Sequence, residues 1–209
     1  MRVHRLVNPF SIFKPTPEPV WSEIFSNLEL PIELEIGTGQ GNFFLEKAKA
    51  RPQFNHLGFE IRYKLVPHVN EMAKKSHLTN AHILFGNAWL CRETVFKNQK
   101  VANIYIFFPD PWEKDKHQKR RLIQTNFIQV LFDILKPGGK IYVQTDVLEL
   151  AQEIRGHFEL NPLFQAQQKD YYPEEPWRIE FGALMSNREK EAYQNNLPIY
   201  RLVYQKPVV

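Results

Sequence analysis

Residues 101–108, VANIYIFF, form an almost unbroken apolar run rich in β-branched and aromatic side chains. A strand of that composition has no face for water, so it needs cover on both sides, as in sheets with helices packed above and below. The flanking sequence supplies such helices. Residues 32–36 (Ile-Glu-Leu-Glu-Ile) read as a strand, 42–51 as a helix stopped before Pro52, 55–61 as a strand and 62–77 as a helix. A third strand at 81–86 precedes the apolar run. Helical apolar spacing over 122–135 ends at Lys136-Pro137-Gly138-Gly139, a helix stop followed by a turn. A fifth strand at 140–146 and a helix at 147–160 follow, and 162–168 and 199–205 read as closing strands. The interval 169–197 reads as mostly loop with one short helix. Strands alternating with helices predict a doubly wound, mostly parallel α/β sheet with helices on both faces.

Ahead of this rhythm, residues 8–31 contain five prolines, which lock φ and remove donors. Residues 1–31 therefore read as a Pro-rich arm, with a short helical turn allowed around Trp21, Ile24 and Phe25, and residues 32–209 as a single domain. One cysteine, Cys91, excludes an internal disulfide. The N-terminus lacks an apolar signal core, and no apolar run approaches the roughly 20 residues that span a bilayer. The expectation is a soluble, cytoplasmic protein without a membrane segment. Its net charge of +4 decides little unless it is clustered.

The first strand runs directly into Gly37, Gly39 and Gly41. Glycines there let the chain turn tightly and let the backbone approach a ligand at the switch point of an open sheet. The spacing is G-x-G-x-G and departs from the dinucleotide fingerprint, in which a third glycine would stand at position 42. With Glu35 ahead of it, the loop resembles the first motif of class I S-adenosylmethionine-dependent methyltransferases. Glu60 closes the second strand 23 residues after Gly37, where an acid can accept from both ribose hydroxyls. Asn87, after the third strand, sits where this fold usually contacts adenine; it also reads as a turn residue.

The apolar run ends in Phe108-Pro109-Asp110-Pro111-Trp112, which places a carboxylate at the carboxyl end of the fourth strand between two stiffening prolines. In the following stretch KDKHQKRR, residues 114–121, five of eight residues are Lys or Arg. Such a run is usually a solvated face, but beside a catalytic mouth it steers and holds a polyanion. FFPDPW followed by this basic run is similar to the signature of bacterial tRNA (guanine-N7-)-methyltransferases. LEIGTGQG, GFEIR, VQTD and the C-terminal SNREKEAYQNNLPIYRLVYQ fall at matching places, so the likeness covers roughly residues 31–205.

The resemblance implies a Rossmann-like methyltransferase sheet with an antiparallel C-terminal strand. It further implies methyl transfer from S-adenosylmethionine to guanine N7 in tRNA, at variable-loop guanine 46, leaving S-adenosylhomocysteine. Glu35, Gly37, Gly39, Gly41, Glu60, Asn87 and Asp110 would line the cofactor pocket, with Asp110 catalytic. Lys114, Asp146, Ser186 and Glu189 would contact the substrate, and Lys116, His117, Lys119, Arg120 and Arg121 the RNA. Three departures stand out: Asn87 for Asp, Ser186 for Thr, and Asp115 interrupting the basic run.

Guanine N7 carries a lone pair and no proton, so the transfer needs positioning and electrostatic support and no general base. Asp110 and Asp146 could select guanine through its N1–H and exocyclic amine. The target base must be splayed from its stack, with Trp112 or Tyr193 as stacking candidates that read equally well as core. No metal is expected, since the histidines and Cys91 show no ligand spacing. Either a monomer or a homodimer is compatible with the sequence. The alternative reading is a non-catalytic RNA-binding protein on the same fold.

Overall fold

The computed structural model describes residues 7–208; residues 1–6 of the arm, Val209 and the side chain of Asp115 lie outside the described part. Seven strands form one sheet in the order β3-β2-β1-β4-β5-β7-β6. They are β1 (Ile32–Ile36), β2 (Asn55–Glu60), β3 (Ala81–Phe85), β4 (Val101–Phe107), β5 (Leu135–Thr145), β6 (Gln165–Ala166) and β7 (Tyr200–Gln205). The first five pair in parallel; β7 runs antiparallel to β5, and β6 antiparallel to β7. The helices are α1 (Trp21–Ile24), α2 (Asn42–Ala50), α3 (Leu65–Lys75), α4 (Thr125–Ile134), α5 (Leu148–Glu159), α6 (Glu174–Phe181) and α7 (Asn187–Gln194). The doubly wound α/β expectation and the antiparallel C-terminal strand both hold.

The period-two alternation of β4 sends Ile104 and Ile106 into the main core with α4 and α5, through Phe127, Leu131, Leu150 and Ile154. Tyr105 points to the opposite face, where it packs with Phe43 of α2, Tyr142, and Trp177 and Phe181 of α6. The apolar run is therefore covered on both faces, as its composition requires. In β1 the same alternation sends Leu34 into the main core and turns the fully buried Glu33 and Glu35 toward α2.

Three local expectations need correction. Residues 169–197 hold two helices, α6 and α7, because Trp177 and Phe181, four apart, bury against the aromatic face of the sheet. The strand expected at 162–168 shrinks to Gln165–Ala166, since only those two residues pair with β7. Lys136 to Gly139 lie within β5: Val101 pairs with Leu135 and Asn103 with Lys140, so the intervening residues bulge, with Gly138 at φ 77°. The arm carries a single-turn 3-10 helix at Pro9–Ser11 besides α1. No helix among the described residues is long and apolar enough to cross a membrane.

Candidate active site

A cleft of about 1410 Å³ opens along the carboxyl ends of β1, β2, β3 and β4. It collects Glu35, Gly37, Gly39, Gly41, Glu60, Asn87 and Asp110, residues drawn from four separate β-to-α connections. Gly37, Gly39 and Gly41 all take left-handed φ, at 86°, 59° and 79°. At Gly41 a Cβ would also stand 2.3 Å from Val69 Cγ1 of α3, so both conformation and packing demand glycine.

Glu60 braces this loop. Its Oε2 accepts from Gly39 N at 2.7 Å, and its Oε1 accepts from Arg62 N at 2.9 Å and Arg62 Nε at 3.0 Å. Arg62, unmarked in the sequence reading, thus neutralises the acid from the cleft side, and Asp110 is close enough to help hold its guanidinium charged. Asn87 acts as a turn residue through Oδ1, which accepts from Trp89 N at 3.1 Å, while Nδ2 donates to Pro9 O at 3.4 Å. The arm consequently forms part of the cleft wall, through Asn8, Pro9, Phe10, Ile12 and Phe13.

Asp110 follows β4 between two non-glycine residues with positive φ, Phe108 at 49° and Trp112 at 42°. Conformations of that kind cost on the order of 1–3 kcal/mol each and persist where packing over-determines them. Here Trp112 is only 7% exposed, with Arg120 over its ring at 5.1 Å and His117 edge-on at 5.8 Å. Trp112 is thus the packing anchor of the basic segment, which forms a 3-10 helix over Asp115–Arg120. Arg121, expected on the RNA-contacting run, lines the cleft but is only 4% exposed, with Nε donating to Pro111 O at 2.6 Å and Nη1 paired with Glu153 of α5. It clamps the end of the segment to the body of the fold.

Beneath the glycine loop lies a buried charge cluster. Lys47 of α2 places Nζ 3.7 Å from Glu35 Oε2 and 3.4 Å above the Tyr105 ring. Glu33 accepts from Tyr105 OH at 2.8 Å and Asn103 Nδ2 at 3.0 Å, and lies 3.2 Å from Arg51 Nη2. Burial pushes Glu35 up to about 7 and Lys47 down to about 8, each partly opposed by the other's charge. Burial works against ionisation of Glu33 too, but Lys47, Arg51 and Asn103 outweigh it and hold that carboxyl below its usual range.

A family model described as a putative methyltransferase matches residues 29–202. The chain is 36% identical over 209 residues to the tRNA (guanine-N(7)-)-methyltransferase of Synechococcus elongatus, covering 98% of this chain and 96% of that one. It is 34% identical over 211 residues to the protein of the same name from Thermosynechococcus vestitus, covering 100% and 97%. The chain belongs to the tRNA (guanine-N7-)-methyltransferase family. Its fold also matches the crystal structure of an rRNA methylase from Streptococcus thermophilus, with TM-score 0.54, 14% identity and coverage of 89% and 91%.

Within this family frame, the expected substrate residues fall into different places. Ser186 caps α7, its Oγ accepting from Glu189 N at 3.1 Å, and lines the cleft. Glu189 does not line the cleft: it sits on the buried face of α7, paired with Arg178 and Arg201 and accepting from Gln144 Nε2 at 3.1 Å. Asp146, just beyond β5, is held by Arg188 and is absent from the cleft wall. Tyr193 is likewise absent from it, turned toward Arg201 and Glu174. Lys114, Lys116 and Lys119 are exposed along the basic segment, with His117 half-buried beside Trp112. Lys119, Arg120 and the buried Arg121 line the cleft itself. Sequence reasoning missed Arg62, Lys47 and Arg188, whose roles arise only from neighbours in other elements. Among the described residues no His, Cys, Asp and Glu cluster has the arrangement of a metal site.

Proposed function

We propose that this chain methylates N7 of a guanine in tRNA, with variable-loop guanine 46 as the expected target and S-adenosylhomocysteine as the by-product. The observation that carries the reading is the convergence of the glycine loop, Glu60, Asp110 and the cationic Lys119 and Arg120 on one cleft. S-adenosylmethionine, when bound, supplies an electrophilic methyl group. The cleft suits it in size and in donor set: Gly37, Gly39 and Gly41 offer close backbone approach, and Glu60 is placed to exchange Arg62 for ribose hydroxyls. Asp110 sits at the end of β4, where its carboxylate gains strength as positive charge develops on the purine.

Glu35 offers a carboxylate for a cationic end of the cofactor. Its folded value of about 7 lies above the ordinary 4.5, so its protonated form stabilises the fold below pH 4.5, and that advantage is lost as pH rises through 7. The ionised form becomes dominant only above pH 7. Affinity for S-adenosylmethionine should therefore tighten by about 25-fold between pH 5.5 and 7.5, by titration calorimetry, and Glu35→Gln should flatten the profile. A wild-type profile as flat as the variant's would remove Glu35 from the binding site.

Lys114, Lys116, His117, Lys119 and Arg120 form the surface offered to RNA phosphates, with Arg121 as its anchor. The double change Lys119→Ala with Arg120→Ala should raise KM for tRNA several-fold and reduce the slope of log affinity against log salt by roughly 1.5. An unchanged slope would place the RNA elsewhere. The function itself is tested by incubating unmodified tRNA with the protein and labelled cofactor, then locating N7-methylguanosine by borohydride–aniline cleavage. Absence of a cut at any guanine would overturn it.

A further inference from the structure

Two carboxylates expected to read guanine are not equally accessible. Asp110 lines the cleft, whereas Asp146 does not, and its side chain is only 5% exposed. Arg188 covers it. This arginine belongs to the first turn of α7 and lines the cleft with a 23% exposed side chain. Its Nε donates to Asp146 Oδ2 at 3.0 Å, its Nη2 donates to the same oxygen, and its Nη1 lies 2.8 Å from Glu191 Oε1. The segment is tied to the glycine loop as well: Asn187 Nδ2 donates to Gln40 Oε1 at 3.1 Å, and Asn42 Nδ2 donates to Asn187 Oδ1 at 2.9 Å. Arg188 is thereby fixed in plane and position against the cleft.

We propose that Arg188 is the group that meets the target guanine from this side, donating to its O6, and that Asp146 acts through it as a positioning residue. This rests on the guanine-N7 reading above. The chemistry favours O6 over the other acceptors. A guanidinium flanked by two carboxylates has a local net charge of minus one, which makes it a poor phosphate site. It still keeps donor hydrogens on Nη1 and Nη2 that the two carboxylates do not use. Donation to N7 would occupy the lone pair that must react, whereas O6, its neighbour on the same edge, can be bound while N7 stays open. The flanking acids also offset the repulsion a bare arginine would feel from the methylated, cationic purine. An aspartate reading N1–H directly would instead have to displace Arg188 first.

The test is a cycle between enzyme and substrate. Wild type and Arg188→Met are compared on tRNA carrying guanine, 2-aminopurine (which lacks O6 and, with it, the N1–H, a loss common to both enzymes) or inosine (which keeps O6 and lacks the amine) at the target position. The wild type should lose about 100-fold in kcat/KM on removal of O6, and Arg188→Met about tenfold or less for the same change. Inosine should cost both enzymes the same factor. Arg188→Lys, which keeps the charge without the fork, should behave like Arg188→Met. Affinity for S-adenosylmethionine, measured separately, should stay within about twofold in both variants, which shows that the cleft is intact. Equal losses from O6 removal in wild type and Arg188→Met would overturn the role of Arg188, as would wild-type kcat/KM in that variant. If the wild type methylates no guanine in the unmodified tRNA, the functional reading fails, whatever Arg188 does.

Discussion

Asp110→Ala should lower the rate of tRNA methylation by roughly 10²–10³-fold under single-turnover conditions while the protein stays folded. Guanine N7 has no proton to lose, so the carboxylate contributes no base step. Its contribution is electrostatic, and it grows as the purine ring acquires positive charge. Removing it costs the transition state more than the ground state, so kcat should fall further than KM rises. Folding should survive because Asp110 sits at the cleft surface after β4, while Phe108 and Trp112 on either side carry the packing. Asp110→Asn, which keeps the shape and an acceptor oxygen without the charge, should fall between the two. Near-normal turnover in the alanine variant, with a normal melting curve as control, would show that another group supports the reaction.

Lys47→Met should be the most damaging change for stability, at about 3–5 kcal/mol. Lys47 is fully buried between Glu35, Glu33 and the Tyr105 ring. Methionine replaces its length and apolar stem, so the cavity term is small and the loss isolates the charge. Two buried carboxylates would then lose a shared cation. Glu35, already raised to about 7, can escape by binding a proton, which limits the cost and makes the variant's stability fall more steeply as pH rises. The expected signature is a melting temperature lower by roughly 10 °C at pH 7.5. Adding Glu35→Gln should return part of the loss, because the double change removes both partners of the ion pair. A shift below about 1 kcal/mol, with no recovery in the double variant, would mean that water or another cation already compensates these acids.

The fold was legible wherever one element's own pattern sufficed. VANIYIFF could only be a strand covered on both faces, and ELEIGTGQG could only be a strand entering a tight, ligand-facing loop. The seven residues expected around the cofactor came from four such strand ends, and a parallel sheet places its strand ends along one edge. That geometry follows from the alternation itself, which is why these residues share one cleft. Helix α6 was also readable in retrospect, from Trp177 and Phe181 four residues apart, but the neighbouring prolines and glutamates masked the signal.

What the sequence by itself determined is the alternation of strands and helices up to about residue 160, the closing strand near 200–205, the glycine loop, and the place of Asp110 at the end of β4. Tertiary structure alone decided which charged residues face the ligand. Arg120 and Arg121 are adjacent and chemically identical and both line the cleft, yet one lies half-buried over the Trp112 ring and the other is buried against Pro111 and Glu153. Glu189 is withdrawn onto the buried face of α7, and Asp146 is screened by Arg188 across 42 residues of chain. Lys47, which the sequence reading did not single out, is the centre of a buried cluster. The physical reason is the same in each case. Apolar burial follows from a side chain's own aversion to water, which its sequence pattern displays. A charge is buried only when distant elements supply its partners, and no local pattern records them.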